Sequence, residues 1–301
     1  MSLTVLITGA TGFLGSHLVK ALLNDNYKVV ILKRSFSETK RIDDVLSQCY
    51  VYNIDQCELS NPFEDLGKID AVIHTATCYG RNNETTAGIL EANVVFPLKL
   101  LEISSFYKTD IFFNTDTFFN KDGASYSYLN TYTTSKKHFL DWGKQFAQKQ
   151  SIKFVNLKLE HIFGAGDNDS KFVTYIIKSC LNNVEELKLT AGEQKRDFIH
   201  IDEVVSIYQL LLKKVQDDPI FYQEYPAGSG QAITIRELVE MIHRLTESKT
   251  ILKFGVLPYR EGEIMFSEAN LDILLKIQYL PKHNLEVNLL KTIKQERVFL
   301  A

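Results

Sequence analysis

No stretch of this 301-residue chain is apolar for long enough to cross a bilayer. Near the start, the apolar run Leu3–Ile7 is strand-length and passes straight into glycines, which is not a secretory pattern. Charge of one sign is also missing. Thirty-four Lys and Arg stand against 37 Asp and Glu, a net charge of −3, so neither a nucleic-acid nor a membrane partner is expected. Cysteine is scarce: Cys49, Cys57, Cys78 and Cys180 are scattered, with no C-x-x-C and no metal-like clustering. That spacing predicts buried, reduced thiols, no metal site and a cytoplasmic setting. No Pro-, Gly- or Ser-rich linker separates independent domains, and there is no internal repeat. What remains is an ordinary globular composition, 45% hydrophobic and 24% charged. An anionic ligand of such a chain must be held by local cations.

The first half alternates strand and helix patterns. Strands are predicted at Leu3–Thr8, Lys28–Lys33, Cys49–Asn53, Ile69–Thr75, Asp110–Asn114 and Lys153–Leu159. Between them lie an apolar helix ending at Leu23, a helical stretch Thr85–Phe106, and a long helix within Tyr126–Gln148. Such alternation predicts an α/β fold with a doubly wound parallel sheet, its crossovers right-handed. After Gly164 the rhythm breaks. A helix near Phe172–Leu181, strands at Leu187–Thr190 and Arg196–Ile201, and helices Asp202–Lys214 and Thr234–Thr246 are expected there. Thr234 and Glu237 have the spacing of a capping box. The expected division is a dinucleotide-binding Rossmann domain over 1–163 with 198–230, and a smaller, discontinuous substrate lobe over 164–197 with 231–301.

Gly9, Gly12 and Gly15 separate the first strand from the first helix, in the run Gly9-Ala10-Thr11-Gly12-Phe13-Leu14-Gly15. Glycine permits positive φ at such a turn, and a helix start without Cβ lets a pyrophosphate reach the backbone N–H groups. The spacing is G-x-x-G-x-x-G rather than G-x-G-x-x-G, and a ligand-free turn is the plainer alternative. No Lys-Ser/Thr follows, which argues against an NTPase loop. The second strand ends in Lys33-Arg34-Ser35 where an NAD-binding chain would carry an acidic residue. Two cations and a hydroxyl suit a 2′-phosphate, so NADPH (NADP) is the expected cofactor; a solvated basic turn is the alternative.

Tyr132 and Lys136 are four apart in a predicted helix and share a face; Lys137 does not. An ammonium beside a phenol favours the phenolate and would make the tyrosine a usable acid/base near neutrality. Alone, a surface Tyr–Lys pair is common.

Taken together the chain resembles, over nearly its full length, the extended short-chain dehydrogenase/reductase family. The resemblance is carried by Thr8–Gly15, His74-Thr75-Ala76-Thr77, Glu91-Ala92-Asn93, Asn114-Thr115-Asp116, Tyr132-Thr133-Thr134-Ser135-Lys136, Lys158–Gly164, Arg196-Asp197-Phe198-Ile199-His200 and Arg260-Glu261-Gly262-Glu263. It implies that Thr115, Tyr132 and Lys136 are catalytic, with Tyr132 the proton donor or acceptor. Gly9, Thr11, Gly12, Phe13, Leu14, Gly15, Thr75, Ala76, Thr77 and Asn93 would line the cofactor groove together with Lys33, Arg34 and Ser35. Arg196 and Arg260 would clamp a nucleotide-sugar diphosphate, Glu263 would meet the nucleoside ribose, and Thr115, Asp116, Thr117 and His161 would face the sugar. His161 replaces an Asn usual in the family.

The resemblance also bears on the reaction. Family members epimerise, dehydrate or reduce nucleotide sugars at C4. Dehydratases of the deoxyglucose type have a glutamate where this chain has Thr117, and a hydroxyl cannot do a carboxylate's proton work. Ala92–Leu101, Asp110–Phe119, Gly192–Ile199 and Glu263–Asn270 are similar to members that reduce the 4-keto group of a CDP-linked 3,6-dideoxyhexulose for bacterial surface polysaccharide. The expected activity is that 4-ketoreduction with NADPH; an NAD-dependent 4-epimerase is the alternative, and a non-catalytic dinucleotide sensor is a third. Relatives often form homodimers through the helices bearing Asn93 and Tyr132.

Overall fold

A computed structural model describes residues 2–120, 129–215, 219–282 and 284–300. In chain order, strands and helices run β1 (Thr4–Thr8), α1 (Phe13–Asn24), β2 (Lys28–Lys33), β3 (Tyr50–Asn53), α2 (Asn61–Leu66), β4 (Ala71–His74), α3 (Thr86–Leu90), α4 (Phe96–Phe106), β5 (Ile111–Thr117), α5 (Asn130–Gln148) and β6 (Lys153–Leu159). They continue as β7 (His161–Phe163), α6 (Phe172–Leu181), β8 (Glu186–Lys188), β9 (Lys195–His200), α7 (Ile201–Lys214), β10 (Tyr222–Ala227), β11 (Ala232–Thr234), α8 (Ile235–Thr246), β12 (Ile251–Lys253), α9 (Asp272–Lys276) and α10 (Leu285–Leu300).

The chain divides into two compact units: residues 2–120, 129–158 and 205–225 in the first, and 159–204 with 226–300 in the second. The first is built on a seven-stranded sheet of order β10-β6-β5-β4-β1-β2-β3. β1 pairs parallel with β2 and β4, β2 with β3, and β4 with β5. This is the doubly wound arrangement, whose strand order reverses beside β1, and ligands of such sheets bind outside the carboxyl ends of the strands at that reversal. Val5, Leu6 and Ile7 in β1 and Val29, Val30 and Ile31 in β2 are wholly buried. That is why these strands read as continuous apolar runs rather than as alternation. Phe112, Phe139 and Phe154 join Leu6, Val30 and Val72 in the core beneath α5.

In the second unit α6, α8 and α10 enclose a separate core of Val173, Ile176, Ile177, Leu238, Val239, Ile242, Leu289 and Ile293. The capping box at the start of α8 forms as its spacing predicts. Thr234 Oγ1 accepts from Glu237 N at 3.1 Å, and Glu237 Oε2 accepts from Thr234 N at 2.8 Å.

Several local expectations differ from what folds. The Thr85–Phe106 stretch is helical throughout, as expected, but a π-helical turn, Glu91–Val95, divides α3 from α4. Residues 126–128, the start of the predicted long helix, lie outside the described residues; α5 begins at Asn130. The strand expected at Leu187–Thr190 forms as Glu186–Lys188, paired parallel with β12. The edge strand β10 and the helix α10 are not predicted by the sequence, because neither carries a clean apolar period. Of the four thiols only Cys180 is buried; Cys49, Cys57 and Cys78 are half-buried, and all four are free. Among the described residues no helix is long and apolar enough to cross a membrane, and no His/Cys/Asp/Glu group could hold a metal ion.

Candidate active site

Gly9 leaves β1 with φ +69°, a left-handed conformation that strains any residue with a Cβ. A Cβ there would lie 2.6 Å from Ala76 N and 2.7 Å from Thr75 Oγ1, and one on Gly15 would lie 2.1 Å from the Gly9 carbonyl oxygen. These two glycines are demanded by close backbone approach. Gly12 is different. It caps α1, is exposed, and a Cβ on it would meet only Gly9 O at 3.2 Å. Its bareness keeps a side chain away from the first-turn N–H groups of α1, which have no acceptor within the helix. Thr11, Phe13 and Leu14 lie half-buried around that cradle. The arrangement fits a dinucleotide's phosphates.

The floor beside it comes from β4. Thr75 Oγ1 donates to Thr8 O at 2.7 Å, and Ala76 N donates to Thr8 Oγ1 at 3.3 Å; Ala76 and Thr77 are half-buried. Asn93 is 1% exposed and fully engaged. Its Oδ1 accepts from Cys78 N at 2.8 Å, while Nδ2 donates to Cys78 O at 2.8 Å and Ser135 Oγ at 2.9 Å. Placed in the π-helical turn, Asn93 stitches the loop after β4 to the helix that carries Tyr132. At the end of β2, Lys33 Nζ donates to Arg34 O and Ser35 O at 3.2 and 3.4 Å, and Arg34 lies 4.8 Å over the Phe36 ring.

Tyr132 and Lys136 fall on the buried face of α5. The Tyr132 phenol is pushed well above its ordinary pKa, by burial first and then by the Tyr79 phenol and Asp116; the Thr117 hydroxyl and Arg81 pull the other way. The lowering expected from the neighbouring ammonium is not found: Lys136 is not among these causes, and the phenol is raised instead. Burial also brings the Lys136 pKa down to about 8, against which Asp116 works. Tyr79 and Tyr132 have ring centroids 4.9 Å apart, and Arg81 lies 5.2 Å over the Tyr79 ring.

The three residues at the end of β5 separate. Thr115 Oγ1 shares a 2.6 Å hydrogen bond with Tyr208 OH of α7, whereas Thr117 is the hydroxyl that lowers the pKa of the Tyr132 phenol. Asp116 is buried and accepts from Thr117 N at 2.8 Å, Asn156 Nδ2 at 3.0 Å and Asn120 Nδ2 at 3.1 Å. Burial raises its pKa, opposed chiefly by Lys136 and by those hydrogen bonds. Asn156 passes the network on to Asn114 at 2.8 Å and to Glu224 at 2.9 Å, where Lys158 closes it at 2.7 Å.

The second unit holds the other expected site residues. Arg196 is 5% exposed and donates to Glu263 Oε1 at 2.5 Å and Lys195 O at 2.9 Å. Arg260 is exposed, at the start of the turn in which Glu263 N donates to Arg260 O at 3.1 Å. His161 is half-buried in β7, its ring 5.4 Å from that of Phe198 and its Nδ1 3.9 Å from Glu160 Oε2. Tyr79, Arg81, Asn156 and Tyr208 belong to the surroundings of the site, and no sequence spacing ties them to Tyr132 or Thr115.

The sequence pattern of the NAD dependent epimerase/dehydratase family matches residues 5–223. The chain is 34% identical over 294 residues to a CDP-abequose synthase of Salmonella muenchen, covering 97% of each chain. It is 36% identical over 272 residues to one of Salmonella typhimurium, covering 88% of this chain and 89% of the other. Among solved structures, a UDP-glucose 4-epimerase of Thermotoga maritima with UDP-glucose superposes with a TM-score of 0.86 at 21% identity, over 99% of this chain and 100% of that one. The last likeness is one of fold.

Proposed function

The chain belongs to the NAD dependent epimerase/dehydratase family, and from that premise we propose that it is a nucleotide-sugar 4-ketoreductase, using NADPH to reduce a CDP-linked 3,6-dideoxyhexulose. One observation carries the proposal: a Tyr132–Lys136 pair on the buried face of α5, in the same unit as the glycine cradle at the end of β1. The likeness to CDP-abequose synthases supports the substrate class.

When bound, the reduced dinucleotide supplies the hydride. The chain's own residues do the rest. Gly9, Gly12 and Gly15 let the phosphates reach the start of α1, and Lys33, Arg34 and Ser35 receive the 2′-phosphate. Tyr132 gives its proton to the oxygen that becomes the C4 hydroxyl, and its elevated pKa keeps it protonated and ready as the acid. Lys136 binds the cofactor ribose and favours the phenolate left behind. Thr115 and Thr117 bring hydroxyl donors to the end of β5, where a developing oxyanion can be met. Arg196 and Arg260 hold the diphosphate, Glu263 the nucleoside ribose, and Asp116 and His161 complete the polar lining. Arg196 is answered by Glu263 at 2.5 Å, so a diphosphate takes over a cation that is already desolvated and oriented. In domain terms, residues 1–163 with 198–230 take the dinucleotide and 164–197 with 231–301 the nucleotide sugar. The product would feed bacterial surface polysaccharide (O-antigen of lipopolysaccharide) from the cytoplasm, with the enzyme acting as a homodimer.

The test is a panel of CDP-, dTDP-, UDP- and GDP-linked 4-keto sugars with NADPH or NADH, read by coenzyme oxidation and by mass spectrometry of the product. Stoichiometric NADPH consumption with the CDP-linked 3,6-dideoxyhexulose is expected. Interconversion of C4 epimers without net coenzyme consumption would replace the proposal with a 4-epimerase. Binding without turnover would replace it with a sensor.

A further inference from the structure

Thr115 is half-buried, while every other residue of β5 is buried. Its hydroxyl is backed from behind by a second one. Phe113 and Thr115 fall on the same face of β5, and Tyr208 of α7 packs on both. The Tyr208 ring lies 6.0 Å from that of Phe113, and its hydroxyl lies 2.6 Å from Thr115 Oγ1. Tyr208 is wholly buried, as are Val204, Ile207, Leu211 and Leu212 on the same helix. Close packing of that kind leaves the ring little freedom to turn away. Among the described residues, Thr115 is the single hydrogen-bond partner of the Tyr208 phenol. Burial pushes the Tyr208 pKa up, so the phenol keeps its proton at neutrality.

Chemistry fixes the direction of this hydrogen bond. A phenol is a stronger acid than an aliphatic alcohol and so the better donor, and the alcohol oxygen accepts. Were Thr115 to donate instead, the Tyr208 proton would lie buried without an acceptor, which is costly. We infer that Tyr208 is a positioning residue for the reaction: it donates to Thr115 Oγ1 and so directs the Thr115 proton toward the oxygen that becomes the C4 hydroxyl. This deepens the reading above and rests on its placement of Thr115 beside that oxygen. A threonine hydroxyl without such a partner rotates and bonds readily to nearby backbone carbonyls. A phenol held against its oxygen occupies one lone pair and leaves the proton to point elsewhere. Donation to the oxygen also polarises the Thr115 O–H bond, because hydrogen bonds in a chain strengthen one another at low dielectric. The gain grows as negative charge develops on the substrate oxygen, so it acts on the transition state more than on the bound ground state. No proton leaves Tyr208, and Tyr132 remains the acid.

The experiment uses the full chain with the coenzyme and sugar that the panel above identifies. Tyr208→Phe, Thr115→Val and the double variant are compared with wild type, and thermal melts fix an assay temperature at which every variant is folded. Tyr208→Phe is expected to lower kcat about tenfold with KM close to wild type, the loss of one hydrogen bond that acts in the transition state. Thr115→Val is expected to lower kcat about a hundredfold or more. Adding Tyr208→Phe to Thr115→Val should then lose less than about twofold further, because no hydroxyl is left to direct. Loss by the same factor in both backgrounds would make Tyr208 a packing residue and overturn the inference, as would wild-type turnover in Tyr208→Phe. The reductase reading is decided separately. If wild type interconverts C4 epimers without consuming coenzyme, that reading falls, and the same cycle scored on the interconversion still decides Tyr208. A wild type that turns over no sugar of the panel overturns both.

Discussion

Asp116 on β5 and Lys136 on α5 are opposite charges taken out of water together, 3% and 2% exposed. A buried ammonium is costly unless something offsets it, and a buried carboxylate likewise. Here each acts on the other's titration, Asp116 raising the pKa of Lys136 and Lys136 lowering that of Asp116. The carboxylate is in turn held by Asn156, Asn120 and the Thr117 amide, and Asn156 by Asn114 and Glu224. A strip of polar residues on β5, β6 and β10 thus supports one lysine. His74 also feels the ammonium from β4.

Turnover should depend on pH through Lys136. If it needs the ammonium, kcat falls as pH passes about 8. Asp116→Asn removes the group that favours the ammonium, so the falling limb should move to lower pH, by roughly one unit. A pH–rate profile of both proteins checks this, and an unmoved limb in Asp116→Asn would contradict it. Stability follows the same titration. The folded pKa lies below the unfolded value of 10.5, so from pH 8 to about 10.5 the unfolded chain holds the extra proton and stability rises with pH. The full contribution is on the order of 3 kcal/mol. Urea midpoints at pH 7.5 and 9.5 should show wild type gaining on Lys136→Met, and parallel behaviour would refute the linkage.

Tyr132→Phe should lower kcat by about 10² to 10⁴. Coenzyme binding, measured by fluorescence titration, should survive, because the glycine cradle lies on another element. Thr117→Val should lower kcat less and raise the phenol's pKa further, since that hydroxyl favours the phenolate. Substantial turnover by Tyr132→Phe would mean that another group gives the proton.

The doubly wound sheet was legible because its inner strands are buried on both faces and alternate with helical patterns. Tyr132 and Lys136 were legible because i and i+4 share a helical face. What lay hidden came from contacts between distant elements. Nothing in the spacing from Ser35 to Asp55 shows a carboxylate folded onto a hydroxyl; only the parallel pairing of β2 and β3 brings them together. Thr115 and Thr117 look alike in sequence, yet one is bonded to Tyr208 and the other acts on the titration of Tyr132. The edge strand β10 escaped because Tyr222-Gln223-Glu224-Tyr225-Pro226 has no apolar period, and its Glu224 serves the polar strip rather than the core.

His74 should make the fold acid-sensitive. It is wholly buried, its Nδ1 pairs with Thr8 Oγ1 at 2.7 Å, and Phe96, Phe112 and Phe139 surround the ring. Burial first, and the Lys136 charge second, push its pKa well below 6.5. The unfolded chain takes the proton below about pH 6.5 and the native one does not, so stability falls as pH drops, by up to about 1.4 kcal/mol per unit. His74→Asn should keep the bond to Thr8 and flatten the dependence between pH 6.5 and 5. Chemical denaturation across that range measures it, and equal slopes would show that His74 does not carry the effect.

Gly143 decides how closely α5 can lie on β6. A Cβ there would sit 2.1 to 2.3 Å from three ring carbons of Phe154. Phe154 cannot yield easily, since it is wholly buried, stacked on Phe112 with centroids 5.9 Å apart and edge-on to Phe139 at 5.8 Å. Two effects of Gly143→Ala oppose each other. Helix propensity favours alanine by about 1 kcal/mol, whereas forcing a methyl into a packed core costs about 1–3 kcal/mol or more. With no slack at 2.1 Å, the steric term wins, and Tm should drop by several degrees (~2–4 °C per kcal/mol). Gly143→Ala with Phe154→Leu should recover part of that loss beyond additivity, because the removed ring atoms are those the methyl strikes. A melt in which Gly143→Ala equals or exceeds wild type would show that α5 stands farther from β6 than these distances say, and with it that Tyr132 and Lys136 are set less deeply against β5.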